Sequence, residues 1–457
     1  MPPSSATQTA RQHEIRLSVK STGHDFQGRS VAPGSLSIWV HHLQGALETH
    51  ASFQPEGCAF AINHTAVTAP AGAQMAALYE ALGRINQTTV GGNAKTVSLG
   101  GYLTGGGHSI LAPRYGLGVD QVYELEVVTP MGDIVVANEC QNQDLFWAMR
   151  GGGGSTFGVI TSVTMATHPS PQIVGADLGI ITTEIDAPYY WDLVGYLLSQ
   201  FPYLASKGVA GYAYFIPNAT APVFGNTTLQ SAGMLGSFVI TDTQSAGDMY
   251  AIWAPIFDHV ARTWPGVSAA PNITVHPSFL DWYSTHYDQG TAGSNLYAGS
   301  HLLDERALSA NATANGEAFK SFGKNGGTAF LVAGKGTWEA KPRGGSTAVL
   351  PSWRRTVVHA TNAISFPPLN TTAKAEALAE LNASVEPLRQ LAPDMGSYLN
   401  ENNPAEPDWQ TSFWGENYER LLQIKRAVDP NDVFWCHPCV GNDRWEEIGY
   451  QLCRIED

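Results

Sequence analysis

A single histidine, His24, stands in a glycine-containing turn at 20–30 (KSTGHDFQGRS), directly after a short alternating strand at 15–19. A strand that ends in such a turn can aim several backbone N–H groups at an anion, and the histidine would lie beside it. Two further glycine-rich runs follow at 100–108 (GGYLTGGGH) and at 150–158 (RGGGGSTFG). Three loops of this kind so close in sequence predict a large phosphate-bearing cofactor.

The two commonest nucleotide-binding motifs do not account for these runs. A P-loop requires G-x-x-x-x-G-K-[ST], which the sequence lacks, and a Rossmann fingerprint requires G-x-G-x-x-G. The nearest run, 152–157, has phenylalanine where the last glycine should stand. For any single run the glycines could merely form bulges and tight turns. The three runs together favour the cofactor hypothesis.

Four stretches of the chain resemble the fungal FAD-linked oxidases of the vanillyl-alcohol oxidase and berberine-bridge-enzyme type. They are KSTGHDFQGRS at 20–30, SLGGYLTGGGHSILAPRYGLGVDQVYELEVV at 98–128, DLFWAMRGGGGSTFGVITSV at 144–163 and ENYERLLQIKRAVDPNDVFWCHPCVGNDRW at 416–445. They follow the order and spacing of the family and reach almost to the C-terminus. The resemblance implies an α+β, two-domain FAD-binding fold of the PCMH type, whose substrate domain is an antiparallel sheet backed by helices.

The resemblance also implies how FAD is held. It assigns to His24 a covalent bond to the flavin 8α-methyl carbon. Many relatives have a second bond through a cysteine, but Ala94 stands at that position, so we expect a single covalent bond. The other residues expected to contact FAD are Gly23, Asp25, Gly28, Arg29, Ser30, Gly100, Gly101, Gly105, Gly106, Gly107, His108, Gly153, Gly154, Gly158, Val159, Ile160, Asn400 and Asn417.

The catalytic base is predicted from the run 398–401 (YLNE). Plant relatives carry Y-x-N-Y, whose last tyrosine acts as a base, and Glu401 replaces that tyrosine here. A glutamate whose pKa is raised by partial burial could accept the substrate proton. Alternatively, Tyr398 could take this role, or Glu401 could only brace a neighbouring arginine. Tyr102 and His108 either reach the pocket or serve as packing residues.

Three functions are compatible with these residues. The first is an FAD-dependent oxidase that transfers hydride from an alcohol or a secondary metabolite to flavin N5, after which O2 reoxidises the flavin to give H2O2. The second, a truncated non-catalytic homologue, would have lost FAD binding. The third is a cyclase of secondary metabolism that uses the flavin pocket without net redox chemistry. The expected partners of the leading hypothesis are a small-molecule substrate and O2.

The chain organisation predicts three segments. Residues 13–168 form the FAD-binding domain, 169–395 the substrate domain, and 396–457 return to the FAD-binding domain. Within them the patterns predict a helix over 73–85, a hairpin over 121–137, a helix over 371–391 that starts at a threonine cap, and a helix over 415–428.

Composition limits the function classes. The chain has 457 residues, 43% of them apolar and 14% charged, and a formal net charge of −15. This balance argues against nucleic acids and anionic membrane surfaces as partners. No apolar run reaches the length of a membrane span.

The asparagines point to the secretory pathway. Eight N-x-[ST] sequons occur, whereas chance would give roughly 3 or 4 among the asparagines of this chain. Their positions are Asn63, Asn86, Asn218, Asn226, Asn272, Asn311, Asn370 and Asn382. The N-terminus lacks the pattern of a signal peptide. Since the resemblance implies a βαβ unit before the histidine turn, we expect either that this unit and a signal peptide are missing from the sequence or that the protein is a true short form.

Five cysteines leave one thiol without a partner. They are Cys58, Cys140, Cys436, Cys439 and Cys453. The run 436–439 (CHPC) could be half of a zinc site, but no second pair stands at metal spacing, so no metal is predicted there.

Overall fold

The computed structural model describes residues 1–222, 228–241, 243, 245–290, 292–449 and 451–455, and it has the mixed α+β architecture expected from the sequence. The first part of the chain reaches to residue 169. It contains α1 (Pro3–Gln12), β1 (Leu17–Lys20), β2 (Leu36–Trp39), β3 (Glu48–His50), β4 (Ala66–Pro70), α2 (Met75–Gly83), β5 (Gln87–Thr88), α3 (Leu99–Gly105), α4 (Ala112–Tyr115), β6 (Val122–Val128), β7 (Ile134–Asn138), α5 (Gln143–Ala148), β8 (Val159–Ala166) and β9 (His168–Pro169).

A five-stranded antiparallel sheet with the order β3-β4-β8-β6-β7 is the centre of this part. The predicted hairpin is confirmed, since β6 and β7 pair around a turn in which the Thr129 N–H donates to the Asp133 carbonyl at 2.9 Å. The predicted helix over 73–85 is α2, two residues shorter at each end. Its expected apolar face is buried, and comprises Met75, Leu78, Tyr79 and Leu82. The turn that carries His24 connects β1 to its parallel partner β2.

The second part of the chain holds a larger sheet. It contains β10 (Ile173–Thr182), α6 (Tyr190–Ser199), α7 (Phe201–Ser206), β11 (Ala210–Pro222), β12 (Thr228–Ile240), α8 (Ala246–Thr263), β13 (Val267–His276), α9 (Phe279–His286), β14 (Leu296–Asp304), α10 (Glu305–Ala310), α11 (Ala312–Phe322), β15 (Gly327–Leu331), α12 (Lys335–Trp338), β16 (Thr356–Ser365) and α13 (Thr371–Leu391). Its seven antiparallel strands have the order β13-β10-β12-β11-β15-β16-β14.

The register of this sheet decides which side chains can form a site. Tyr212 on β11 is the cross-strand partner of Phe330 on β15, and Phe330 is the partner of His359 on β16. Residues directly opposite in neighbouring strands share one face of a sheet. Three aromatic side chains, one of them a histidine, therefore form a row on the same face.

The long helix α13 has the predicted bounds, but its predicted cap is wrong. The side-chain oxygen of Asn370 accepts a hydrogen bond from the Ala373 N–H at 3.0 Å, so this asparagine caps the helix instead of a threonine. Asparagine caps a helix at least as well as threonine, and it stands one residue earlier in the chain.

The C-terminal part contains α14 (Trp409–Trp414), α15 (Tyr418–Val428), β17 (Trp445–Ile448) and β18 (Gln451–Arg454). The helix predicted over 415–428 begins three residues later, because 415–417 form a 3-10 turn. Lys425 on α15 is buried, and its ammonium donates to the Thr156 carbonyl at 2.9 Å and to Asp429 at 2.6 Å. This contact fastens the tail to the glycine-rich loop at 150–158.

Two disulfides, Cys58–Cys140 and Cys436–Cys439, leave Cys453 as a free thiol. Since both cysteines of the 436–439 run are bonded to each other, they are not metal ligands. Among the helices of the described chain, none combines the length and the hydropathy that crossing a membrane would need.

Candidate active site

A cavity of about 530 Å³ lies where the three glycine-rich runs, the large sheet and the C-terminal segment meet. This volume is within the range of ligand pockets. Most of the residues predicted to hold the cofactor or to react line this cavity. They are Gly23, His24, Asp25, Arg29, Ser30, Gly100, Gly101, His108, Gly154, Gly158, Val159, Ile160, Tyr398, Asn400 and Glu401.

Six predicted cofactor contacts are not in the cavity wall. They are Gly28, Gly105, Gly106, Gly107, Gly153 and Asn417. A Cβ added at Gly105 would come within 2.0 Å of the Asn400 amide, so this glycine is required for close packing behind the wall. The amide of Asn417 donates to the Val349 carbonyl at 3.0 Å, which holds two chain segments together and does not bring the side chain into the cavity.

His24 is positioned with one ring nitrogen directed to a protein partner. Its Nε2 lies 2.7 Å from the Thr96 hydroxyl, so Nδ1 is the nitrogen left for a bond to a ligand. Burial lowers the pKa of His24, and the charge of Asp288 opposes this shift only in part. The ring is therefore neutral near neutral pH, as a nucleophile must be. Gly23, with φ at +85°, provides the left-handed turn that aims this ring.

Arg29 forms an ion pair within the histidine turn and a hydrogen bond that joins this turn to the C-terminal segment. The Arg29 guanidinium donates to one Asp25 oxygen at 2.6 and 2.9 Å and to the side-chain oxygen of Asn400, Oδ1, at 3.1 Å. Its Nη1 and the Ser98 hydroxyl are buried polar atoms without a hydrogen-bond partner, and both residues line the cavity. Gly101 leaves free space where a Cβ would point. Unpaired donors and an open glycine cradle fit a polar, phosphate-bearing ligand such as FAD.

Glu401 lies between two histidines. Its Oε1 is 2.8 Å from Nε2 of His108, and its Oε2 is 2.7 Å from Nε2 of His359. Burial alone would raise the pKa of Glu401, but the two imidazoles outweigh burial and hold the pKa well below its usual range. The sequence-based argument that burial raises this pKa is therefore wrong. Glu401 is ionised over the whole physiological range and has no contact with an arginine in the described chain.

Tyr398 is the other candidate base. Its hydroxyl accepts hydrogen bonds from the Gly107 N–H and the Asn400 amide, both at 3.3 Å. Burial and, to a smaller extent, the charge of Glu401 raise the pKa of Tyr398 far above neutral pH. This tyrosine is therefore protonated at rest, where it can donate but cannot accept a proton. Tyr102, for its part, donates to the carbonyls of Gly107 and His108 and supports the loop.

Two polar groups of the site were missed by the sequence analysis. His359 is fully buried, and burial lowers its pKa against the opposing effect of Glu401. A histidine inside the apolar run at 357–360 was the available signal. Asp288 lines the cavity beside Ala94, with which it forms an isolated bridge. The aromatic wall above it consists of Tyr212, Tyr214 and Phe330.

Comparisons with known proteins agree with this geometry. Residues 4–138 match the family model described as FAD binding domain, and residues 397–441 match the one described as berberine and berberine like. An uncharacterized FAD-linked oxidoreductase of Arthroderma benhamiae is 35% identical over 97% of this chain and 76% of its own length. The bifunctional decalin synthase of Penicillium decumbens is 31% identical over 98% of this chain and 76% of its own. The crystal structure of the VAO-type flavoprotein MtVAO713 from Myceliophthora thermophila superposes with a TM-score of 0.90, at 26% identity over 99% of this chain and 80% of its own.

The cavity and these matches define an FAD-binding oxidoreductase with the α+β fold of the VAO-type flavoproteins. The chain belongs to the fungal FAD-linked oxidoreductases of the vanillyl-alcohol oxidase and berberine-bridge-enzyme type.

Proposed function

We propose that this protein is an FAD-dependent oxidase that removes hydride from a C–H of an alcohol or a secondary metabolite. Bound FAD supplies the two-electron acceptor at N5 and returns the electrons to O2, which yields H2O2. The observation that carries the proposal is the position of His24. Its neutral ring faces a cavity of about 530 Å³ with one nitrogen anchored on Thr96 and the other unassigned.

The chain's own residues would hold FAD through one covalent bond at His24. Ala94 lines the same cavity at the position of the second bonding residue of some relatives, and a methyl group forms no such bond. Arg29 and Ser98 offer their unpaired donors to polar groups of the cofactor. Tyr212, Tyr214 and Phe330 then restrict the substrate to the side of the cavity near Glu401. These roles support an oxidase of small molecules.

The first test is the visible spectrum of the purified protein, followed by acid precipitation. We expect flavin absorbance that stays with the pellet, and that moves to the supernatant in His24→Ala. His50→Ala is a matched control, because His50 makes the same contact with a threonine hydroxyl, at 2.8 Å from Thr68, outside the cavity. A colourless, folded protein would contradict the proposal and favour a non-catalytic homologue.

The second test separates hydride transfer from oxidation by O2. A panel of alcohols is mixed with the protein under anaerobic conditions, and loss of flavin absorbance reports hydride transfer. Aerobic H2O2 release from the same substrates then reports the oxidase reaction. Flavin reduction without O2 uptake would indicate a dehydrogenase and contradict the proposed oxidase.

A cyclase is the second candidate, and the relation to the decalin synthase favours it. In this case the cavity would fold a reactive polyene and the product would have the mass of the substrate. An oxidase product would be lighter by two hydrogens. Mass spectrometry of the product therefore distinguishes the two functions with one substrate.

A further inference from the structure

Three side chains at the wall of the cavity direct potential ligand atoms at one point. They are Nε2 of His108, Nε2 of His359 and the carboxylate of Glu401, and these atoms all lie within 4.8 Å of one another. The three residues come from a loop after α3, from β16 and from the C-terminal segment. Only folding therefore brings these three side chains together.

The cluster lacks a permanent counter-charge. Within the described residues, Glu401 makes ion-pair contacts with the two histidines alone. Arg29, which lines the same cavity, is paired with Asp25. The Glu401 side chain keeps 23% of its exposure, and a carboxylate that is partly removed from water is stabilised by a nearby positive charge. A divalent cation between the three groups would provide it.

The ligand set and its surroundings correspond to an open metal site. Two imidazole nitrogens and one carboxylate are the ligands of many zinc sites that keep a fourth position for water or substrate. His108 and Glu401 line the cavity, whereas His359 is fully buried behind them. The open side of the cluster therefore faces the space that a substrate would occupy.

The distances permit such an ion after a small adjustment. The nitrogen–oxygen separations are 2.7 and 2.8 Å. Ligands about 2.0–2.1 Å from a tetrahedral zinc ion lie roughly 3.3 Å apart, so the side chains must open by about half an ångström. Nδ1 of each histidine is buried without a partner, so the outer hydrogen bonds typical of tight sites are missing. Missing support of this kind lowers metal affinity about 10- to 100-fold, and we expect micromolar binding.

We propose that His108, His359 and Glu401 bind one divalent cation of the zinc type, with an open position for a substrate oxygen. The inference rests on the proposed function and changes one part of it, because Glu401 would be a ligand and not the base. A substrate hydroxyl bound to the cation would release its proton to solvent at a lower pH than a free alcohol. The hydrogen on the carbon that carries this hydroxyl would leave as hydride to oxidised FAD. The substrate would lose one proton and one hydride in this way and become a carbonyl compound.

Zinc chloride alone, titrated into the metal-stripped flavin-loaded protein, tests the proposal by calorimetry. We expect one site per chain, weakened at least about 10-fold in His359→Asn and in Glu401→Gln. His286→Ala is the matched control, because His286 forms a second histidine–carboxylate contact, 3.2 Å from Asp177, outside the cavity. This control should bind zinc with unchanged affinity.

The flavin spectrum and the unfolding temperature of each variant show separately that FAD is bound and that the chain is folded. Absence of zinc binding, or binding that neither cavity variant weakens, would overturn the metal site while a normal flavin spectrum leaves the oxidase proposal intact. The metal site would also be overturned if the unmodified protein binds no zinc and Glu401→Gln nevertheless loses flavin reduction. In that case Glu401 would be the base.

Discussion

In the proposed oxidase, individual residues would determine how FAD is attached. Ala94 lies in the wall of the cavity, two residues before Thr96, which anchors His24. We therefore expect Ala94→Cys to add a second flavin bond to the one proposed at His24, because both residues line the same cavity. Mass spectrometry of proteolytic fragments would show both peptides on one flavin. Ala94→Ser, which lacks the nucleophilic sulfur, should keep the single bond, and an identical result for both variants would contradict the prediction.

Single substitutions also distinguish the two candidate bases, Tyr398 and Glu401. Tyr398 is protonated at rest while Glu401 is ionised. We expect Glu401→Gln to slow flavin reduction by about 10²- to 10⁴-fold, because the change removes either the base itself or the carboxylate ligand of the proposed cation, and Tyr398→Phe to slow it less than about 10-fold. Stopped-flow absorbance under anaerobic conditions measures both rates. A larger loss in Tyr398→Phe would reverse the assignment.

Sequence reasoning found the residues whose signal is local. The glycine turn around His24 and the run at 98–128 carry their pattern within a few positions. It failed for the pKa of Glu401, because the histidines that control this pKa are 293 and 42 residues away in sequence. His359 was missed for the same reason, since the pairing of β15 with β16 is what brings it to the site.

At the scale of elements, a pH-dependent contact joins α9 to the large sheet. Nε2 of His286, in the last turn of α9, is 3.2 Å from the Asp177 carboxylate on β10. The hydrogen bond that the His286 ring donates to Asp177 raises the pKa of His286 against the effect of burial. Burial alone would raise the pKa of Asp177, but its hydrogen bond with His286 lowers it.

The raised pKa of His286 and the lowered pKa of Asp177 define the pH range in which their contact stabilises the fold. The contribution of His286 is complete below its unfolded pKa of about 6.5 and is lost as the pH rises through the higher folded pKa. The contribution of Asp177 is complete above about pH 3.9 and is lost as the pH falls below it.

We therefore expect His286→Gln to lower the unfolding temperature most at about pH 5–6 and little at about pH 9. The free-energy change should be at most about 1 kcal/mol, because Asp177 is half exposed. His13→Gln, the same change at an exposed histidine of the N-terminal part, is the control. A pH-independent difference would contradict the assignment.

The helices show which structural features the local sequence pattern predicts and which it does not. The bounds of α13 follow from its amphipathic pattern and were predicted without error. Its cap was assigned one residue too late, because Asn370 and the threonines after it are all good capping residues. The buried face of α15 includes Lys425, which a polarity pattern places on the surface, and only its three oxygen partners explain the burial.

For the whole molecule, the Cys58–Cys140 disulfide closes a loop of 82 residues in the first part of the chain. In the chain-entropy model a cross-link of this span stabilises the folded state by about 4–5 kcal/mol. We expect the double variant Cys58→Ser with Cys140→Ser to lose a large part of this stability in urea unfolding. Cys453→Ser removes the free thiol and should leave the midpoint unchanged. Equal midpoints for all three proteins would contradict a structural role of the disulfide.

Disulfides and sequons together support passage through an oxidising compartment, which we propose as the secretory pathway. Six of the seven sequon asparagines in the described chain are exposed, whereas Asn382 is half buried and accepts a hydrogen bond from Asn403 at 3.3 Å. Asn226 lies outside the described residues. Asn311 and Asn370 cap helices through their side-chain oxygens, so their amide nitrogens stay available for a glycan.

After expression with a signal peptide in a fungal host, we expect enzymatic deglycosylation to remove several glycans and peptide mapping to find Asn382 unmodified. Since a glycan requires an accessible amide, full occupancy of Asn382 with empty exposed sites would contradict this arrangement of the surface.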